Sequence, residues 1–224
     1  LKKTCMQCQT RLFESLNATT FYKKASKLCT VCNEQWDEMK LEIDGRCQKC
    51  LKQLNVAETI CLDCAFLSEK FNLMDKLYCA YQYDGIVKEM IHQYKFMKDV
   101  AIAEILVEKI RLPHQKYDYV VPIPSSVYKD QERTFNPVRF VLDLKQVNYH
   151  CLLRMQSRPK QSKLSKPMRA QLANPFEIIS MVDLKEKNIL LVDDIYTTGL
   201  TAHHAAQLLF DRKIRKFDVF TFAR

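Results

Sequence analysis

In the last two thirds of the chain the apolar residues keep two different periods. Ile189-Leu190-Leu191-Val192 is a continuous apolar run opened by Asn188, as a parallel strand buried on both faces requires. From Thr201 to Lys213 the pattern turns helical, with Ala202, Ala205, Ala206 and Leu209 on one face. Phe217 to Ala223 alternates weakly and predicts a final strand. Upstream, Tyr119-Val120-Val121 predicts a short buried strand ending at Pro122. Tyr81-Gln82-Tyr83-Asp84-Gly85 reads as a strand running into a turn. Ile86, Met90, Ile91 and Tyr94 then recur at helical spacing, and Val100, Ala103, Leu106, Val107 and Ile110 give a second helix. Val138, Val141 and Leu142, extending toward Lys145, give a third, with Pro137 well placed at its start. Strands alternating with helices predict an α/β fold around a parallel sheet.

Before about Phe71 the pattern changes. Eight of the ten cysteines fall there, in four C-x-x-C pairs: Cys5/Cys8, Cys29/Cys32, Cys47/Cys50 and Cys61/Cys64. Zinc takes four thiolates at tetrahedral corners, and each C-x-x-C turn presents two, so four turns make two structural zinc sites. A disulfide framework would need an oxidising compartment and an export signal, and a thioredoxin-like pair would need a βαβ context. The sequential pairing joins the first two pairs and the last two, with twenty and ten residues between the inner cysteines. It closes shorter loops than the interleaved pairing, and both stay open. Cys79 and Cys151 read as small buried hydrophobes. The chain is thus expected to divide into a double zinc-ribbon module over residues 1–70 and an α/β domain over residues 71–224.

With 47% hydrophobic residues in 224, the chain can build a core and is not disordered. No apolar run is long enough to span a membrane. The start, Leu1-Lys2-Lys3-Thr4-Cys5, lacks the apolar centre of a secretory signal, so a cytoplasmic location is expected. The net charge of +9 is uneven: residues 111–175 hold twelve Lys or Arg against four acids. No acid occurs from Leu144 to Phe176, where Lys145, Arg154, Arg158, Lys160, Lys163, Lys166 and Arg169 stand. Such a stretch is either a solvated face or an attractor of phosphate, on a small molecule or on nucleic acid.

The strand at Val192 runs straight into Asp193-Asp194, then Ile195-Tyr196-Thr197-Thr198-Gly199-Leu200-Thr201, where a helix begins. Ligands of parallel sheets bind beyond the carboxyl ends of strands, and a helix N-terminus takes phosphate well. Gly199 allows close backbone approach. The hydroxyls of Thr197, Thr198 and Thr201 donate to phosphate oxygens, and the two carboxylates accept from adjacent ribose hydroxyls. A plain strand end with a threonine cap is the simpler alternative. Ser125 and Ser126, just beyond Pro122-Ile123-Pro124, offer hydroxyls and amides for a pyrophosphate. Lys129, Arg133 and the basic stretch offer cations. The five histidines show no ligand spacing, and His203 and His204 read as part of a helix face.

This segment resembles the 5-phosphoribosyl 1-pyrophosphate (PRPP) motif of type I phosphoribosyltransferases. The resemblance implies a type I phosphoribosyltransferase-like parallel sheet, Asp193 and Asp194 on the ribose hydroxyls, and a cradle from Tyr196 through Thr201 for the 5-phosphate. Ser125, Ser126 and Arg133 would lie on the pyrophosphate side, with Mg bound alongside PRPP. More of the chain is similar to one branch, the ComF family: cysteine pairs first, then Tyr94-Lys95-Phe96, Val121-Pro122-Ile123-Pro124, and the spaced Gln161, Leu164, Arg169, Asn174 and Phe176. Arg133-Thr134-Phe135-Asn136-Pro137 departs from that family's usual Arg-Gly-Phe-Asn-Gln. The resemblance implies a role in competence for natural transformation, with PRPP or a related phosphoribose bound and incoming single-stranded DNA handled alongside DNA-uptake proteins. Aromatics for stacking on bases would come from Phe13, Phe21, Tyr22, Trp36 and Tyr149, although such residues more often belong to a core. The alternative is an active phosphoribosyltransferase working on an unidentified acceptor.

Overall fold

The computed structural model describes residues 4–12, 26–55, 58–156 and 174–224. Its centre is a four-stranded, all-parallel sheet in the order β1 (Leu77–Tyr78), β6 (Lys216–Ala223), β5 (Asn188–Ile195) and β2 (Tyr119–Pro122). β5 pairs with β6 from Asn188↔Lys216 to Ile195↔Ala223, and with β2 from Tyr119↔Ile189 to Pro122↔Val192. Pro122 has no N–H to donate and sits on an edge strand, where that loss is tolerated.

Both faces of β5 and β6 are buried, which explains the unbroken apolar run. Ile189, Leu191, Phe217 and Val219 share one core with the helix α7 (Leu200–Phe210) and with the antiparallel hairpin of β3 (Leu153–Met155) and β4 (Phe176–Ile178). Leu190, Val192, Phe220 and Phe222 share the other with α3 (Gly85–Phe96), α4 (Ile102–Lys109) and α6 (Pro137–Leu144). Each core also takes in one cysteine group. Cys5 and Cys32 belong to the second core, whereas Cys47, Cys50, Cys61 and Cys64 belong to the first. The cysteine-rich segment therefore roofs the sheet on both sides.

The two cysteine groups have the same local build. Cys5/Cys8 and Cys47/Cys50 lie on tight turns followed by a left-handed residue, Gln9 at φ 62° and Leu51 at φ 59°. Cys29 and Cys61 are the N-caps of two short helices, α1 (Thr30–Glu38) and α2 (Leu62–Ser68), whose first turns carry Cys32 and Cys64. Trp36 of α1 is fully buried, edge-on to Tyr81, and donates its indole N–H to Gln7 Oε1 at 3.1 Å. It is core, and no platform for a base.

Several sequence expectations shift. The strand expected at 81–85 is not formed; β1 lies earlier, and Tyr81 makes only an isolated bridge to Lys40. The backbone there is shared: Leu41 N–H donates to Ala80 O and Gln82 N–H to Met39 O, while Arg224, just past β6, donates its N–H to Tyr81 O and accepts from Tyr83 N–H. Val100 precedes α4 and is exposed, so the helix starts at Ile102. Cys151 is exposed and Cys79 only half-buried, against the expected burial of both. The helix α5 (Val127–Arg133) and the β3–β4 hairpin were not expected. Phe13, Phe21, Tyr22, Gln161, Leu164 and the basic positions from Arg158 to Arg169 lie outside the described residues. Among the described residues no helix is long and apolar enough to cross a membrane.

α3 and α6 are tied at the edge of the second core. The buried Tyr94 hydroxyl donates to Pro137 O at 2.8 Å, at the first residue of α6. Tyr94→Phe leaves that carbonyl without its donor and is expected to cost about 1 kcal/mol, read as a drop of about 2–4 °C in melting temperature by calorimetry.

Candidate functional site

The four sulfurs of Cys5, Cys8, Cys29 and Cys32 lie within 4.8 Å of one another, as do those of Cys47, Cys50, Cys61 and Cys64. The sequential pairing is the one formed. Individual separations are 3.6 Å for Cys8–Cys29, 3.8 Å for Cys47–Cys64 and 3.4 Å for Cys50–Cys61. Ligand bonds of about 2.3 Å at tetrahedral angles place sulfurs about 3.8 Å apart, so both groups fit zinc. The acid–base chemistry of the second group agrees. Cys50 is held down to about 4, chiefly by its hydrogen bond with Cys64 and further by Arg224, while Cys64 is pushed up by that same bond and by burial. Crowded thiols in a core can share little negative charge among themselves, and a divalent cation removes that restriction.

The second constellation lies at the carboxyl end of the sheet. A cavity of about 160 Å³ opens there. Asp193 and Asp194, from the end of β5, form its floor with Lys95, the penultimate residue of α3. Lys95 Nζ is 2.7 Å from Asp194 Oδ2, and both side chains are largely buried. Asp193 Oδ1 accepts from the Asp194 N–H at 2.8 Å. Burial, and then the neighbouring Asp194, push the Asp193 carboxyl up to about 8.

The opposite wall is the turn after β2. Ser125, Ser126, Lys129 and Arg133 all line the cavity. Lys129 and Arg133 are four apart on α5 and so share a face. The turn is internally braced: the Ser125 hydroxyl bonds Asp130, and Asn136 Nδ2 donates to Ser125 Oγ and to Asp130 Oδ2, each at 3.1 Å. Arg133 is buried, with its guanidinium 5.2 Å from the centre of the Phe96 ring. Thr134 follows in the left-handed region at φ 71°, where glycine would sit without a Cβ clash. Asn136 then caps α6 by accepting from Arg139 N–H at 3.0 Å. Thr134 thus takes a left-handed position that suits glycine, and Pro137 stands at the first helical position of α6.

The hydroxyl loop is only partly at this cavity. Thr201 lines it. Thr197 is exposed and Thr198 half-buried on the same loop, while Gly199 and Leu200 are buried at the start of α7. Tyr196 points away: its side chain is 4% exposed and packs in the core that holds the second cysteine group. His203 and His204 are buried too. His203 Nδ1 donates to Gly199 O at 2.8 Å and Nε2 accepts from Met74 N–H at 3.4 Å, and burial holds the ring down at about 4, so it stays neutral.

No family profile matches the chain. Two curated relatives align along most of it. Competence protein ComFC of Bacillus subtilis is 27% identical over 235 residues, which is 100% of this chain and 95% of the relative. Competence protein ComFC of Streptococcus pneumoniae is 28% identical over 204 residues, 89% of this chain and 88% of the relative. The chain is similar to ComFC along most of its length. Among solved structures, the allosteric regulatory enzyme of purine biosynthesis overlaps 57% of the chain and 25% of its own length, at 15% identity and a TM-score of 0.33. A hypoxanthine phosphoribosyltransferase from Staphylococcus aureus overlaps 56% of the chain and 61% of its own length, at 15% identity and a TM-score of 0.30.

Two cavity residues escape the sequence reading as site groups. Lys95 stands in the quoted Tyr94-Lys95-Phe96 segment, and its place one residue after the buried Tyr94 was the available signal. Asn136 looks like a helix cap and is one, yet its amide also braces Ser125.

Metal analysis of the purified chain is expected to give two zinc ions, one for each group. Cys64→Ser should lose one ion and more stability than Cys8→Ser, because Cys64 is buried in the sheet's core and Cys8 is exposed. A second expectation concerns pH. The folded value of Asp193 lies above its unfolded value of 3.8, so ionisation opposes folding. The penalty is absent in acid, grows as pH rises above the unfolded value, and is complete above the folded one. Between about pH 5 and pH 8.5 the parent's melting temperature should therefore fall relative to that of Asp193→Asn.

Proposed function

We propose that this chain binds PRPP, or a related phosphoribose, together with Mg in the cavity between β5, β2 and α7. The observation that carries the reading is convergence. Two carboxylates, the hydroxyls of Ser125, Ser126 and Thr201, and the cations Lys95, Lys129 and Arg133 line one cavity at the carboxyl ends of the strands. In this reading Asp193 and Asp194 accept from the ribose hydroxyls, and Thr197 to Thr201 hold the 5-phosphate at the N-terminus of α7. Ser125, Ser126, Lys129 and Arg133 hold the pyrophosphate, whose charge Mg shares through oxygen ligands. The Lys95–Asp194 pair means that a sugar hydroxyl meets a carboxylate already engaged on one side, which fixes its orientation.

The relatives' names support a role in competence; the proposed role is in natural transformation, in the cytoplasm, where the chain would handle incoming single-stranded DNA with DNA-uptake proteins. The acid-free stretch from Leu144 to Phe176 supports a phosphate-backbone contact. The division into a zinc module over residues 1–70 and a phosphoribosyltransferase-like domain over 71–224 is part of the same proposal.

Calorimetric titration with Mg-PRPP tests the site. Asp194→Asn is expected to weaken binding by about tenfold, equivalent to about 1.4 kcal/mol. Equal affinity in both proteins would reject the assignment. Pyrophosphate release at enzymic rates with an added acceptor would replace the binding role with a transferase.

A further inference from the structure

Tyr196 opens the candidate phosphate loop, yet its side chain lies on the far side, in the core. Gly199 shows how tightly the two are fitted. Its φ is +80°, and a Cβ built there would lie 2.1 Å from the Tyr196 hydroxyl and 3.1 Å from Leu67 Cδ1. The loop thus folds over its own tyrosine, with Leu67 packed beside Gly199. That residue belongs to α2, three positions after Cys64 and fully buried. The Tyr196 ring also lies 5.8 Å from the Arg224 guanidinium. Arg224 in turn donates to Cys50 O and, at 3.4 Å, to Cys50 Sγ.

The start of α7 leans on the same unit. The ring of Phe71 is 6.0 Å from His203 and 5.0 Å from His204, and Met74 N–H reaches His203 Nε2. His203 carries that contact to Gly199 O. Every one of these supports comes from residues 50–74 or from Arg224. The first cysteine group contributes none of them; it lies in the core on the opposite face.

We propose that the second cysteine group, with its metal bound, is the buttress that shapes the Tyr196–Thr201 loop, with Leu67, Tyr196 and Arg224 as positioning residues. A metal ties the Cys47/Cys50 turn to the start of α2. That fixes Leu67 beneath Gly199 and holds Cys50 against Arg224, which caps the tyrosine. Removing the metal frees four crowded thiols to separate and takes both supports from the loop. The relation is reciprocal: an anion that orders the loop must tighten metal binding at this group, and not at the first. The proposal rests on the zinc reading of the cysteines, and takes its functional meaning from the phosphoribose reading of the loop.

Amide hydrogen exchange on the full chain, with its metal as purified, tests it without any ligand. Cys61→Ser should speed exchange over residues 196–203 by about tenfold, whereas Cys8→Ser should leave it unchanged. Arg224→Gln removes the guanidinium without touching a sulfur. It should keep two metal ions per chain and still loosen the loop. If Cys61→Ser yields no folded protein, this variant decides alone. Unchanged exchange in Arg224→Gln, or equal loosening in Cys8→Ser, overturns the proposal. Mg-PRPP titration of the same proteins reads separately. Loosening without PRPP binding in the parent rejects the ligand and keeps the buttress; PRPP binding without loosening does the reverse.

Discussion

β5 and β6 are buried on both faces, and that single constraint organises the rest of the molecule. Two apolar strands side by side need a cover above and below. Here helices supply much of each cover, and a four-cysteine unit completes it on each side. The two units share one design, a tight turn with a left-handed residue followed by a helix opening on cysteine. Neither carries much apolar area of its own. Small units of this kind gain their order from metal bonds, and add buried residues, such as Trp36, to a core they do not own.

The same burial sets the electrostatics of the cleft. β5 leaves the core with two consecutive carboxylates, and one lysine stands beside them. Asp193 resists ionisation because it lies at the mouth of an apolar strand with Asp194 next to it. The opposite wall carries the reverse arrangement, with Arg133 buried against an aromatic ring and Asp130 tied up by Ser125 and Asn136. Acids thus face cations across one cavity, each side held by bonds that leave little freedom. A ligand with hydroxyls at one end and phosphates at the other matches that polarity.

What could be seen in the sequence had periodicity or spacing behind it. β5, α3, α6 and the four cysteine pairs follow from local patterns alone. Loop length favoured the cysteine pairing that forms but left the interleaved one open. The strand expected at Tyr81 failed because Tyr81 bridges Lys40, which belongs to no strand of the sheet, and alternation says nothing about which backbone a strand meets. Tyr196 illustrates the same limit at the site. Its position in a ligand-binding motif suggested a contact with ligand, whereas the side chain fills space under Gly199. Only the neighbours of a residue decide which side of a loop its ring takes. Lys95 was hidden for a related reason: a lysine at a helix end is ordinary until an aspartate from a distant strand is brought to it.

Arg224 and Cys50 meet across 174 residues of chain. Lys76 and Asp218, which anchor β1 beside β6, are separated by 142. At the pace of translation the interval between the two ends of the first contact is on the order of ten to thirty seconds. Through that time the cysteine turns exist while the strands they cover do not. Metal capture is local and can run ahead, but the sheet can close only when its last strand is made. The nascent protein therefore carries its cysteine turns ahead of the strands they cover, and burial cannot shield their thiols until the sheet closes.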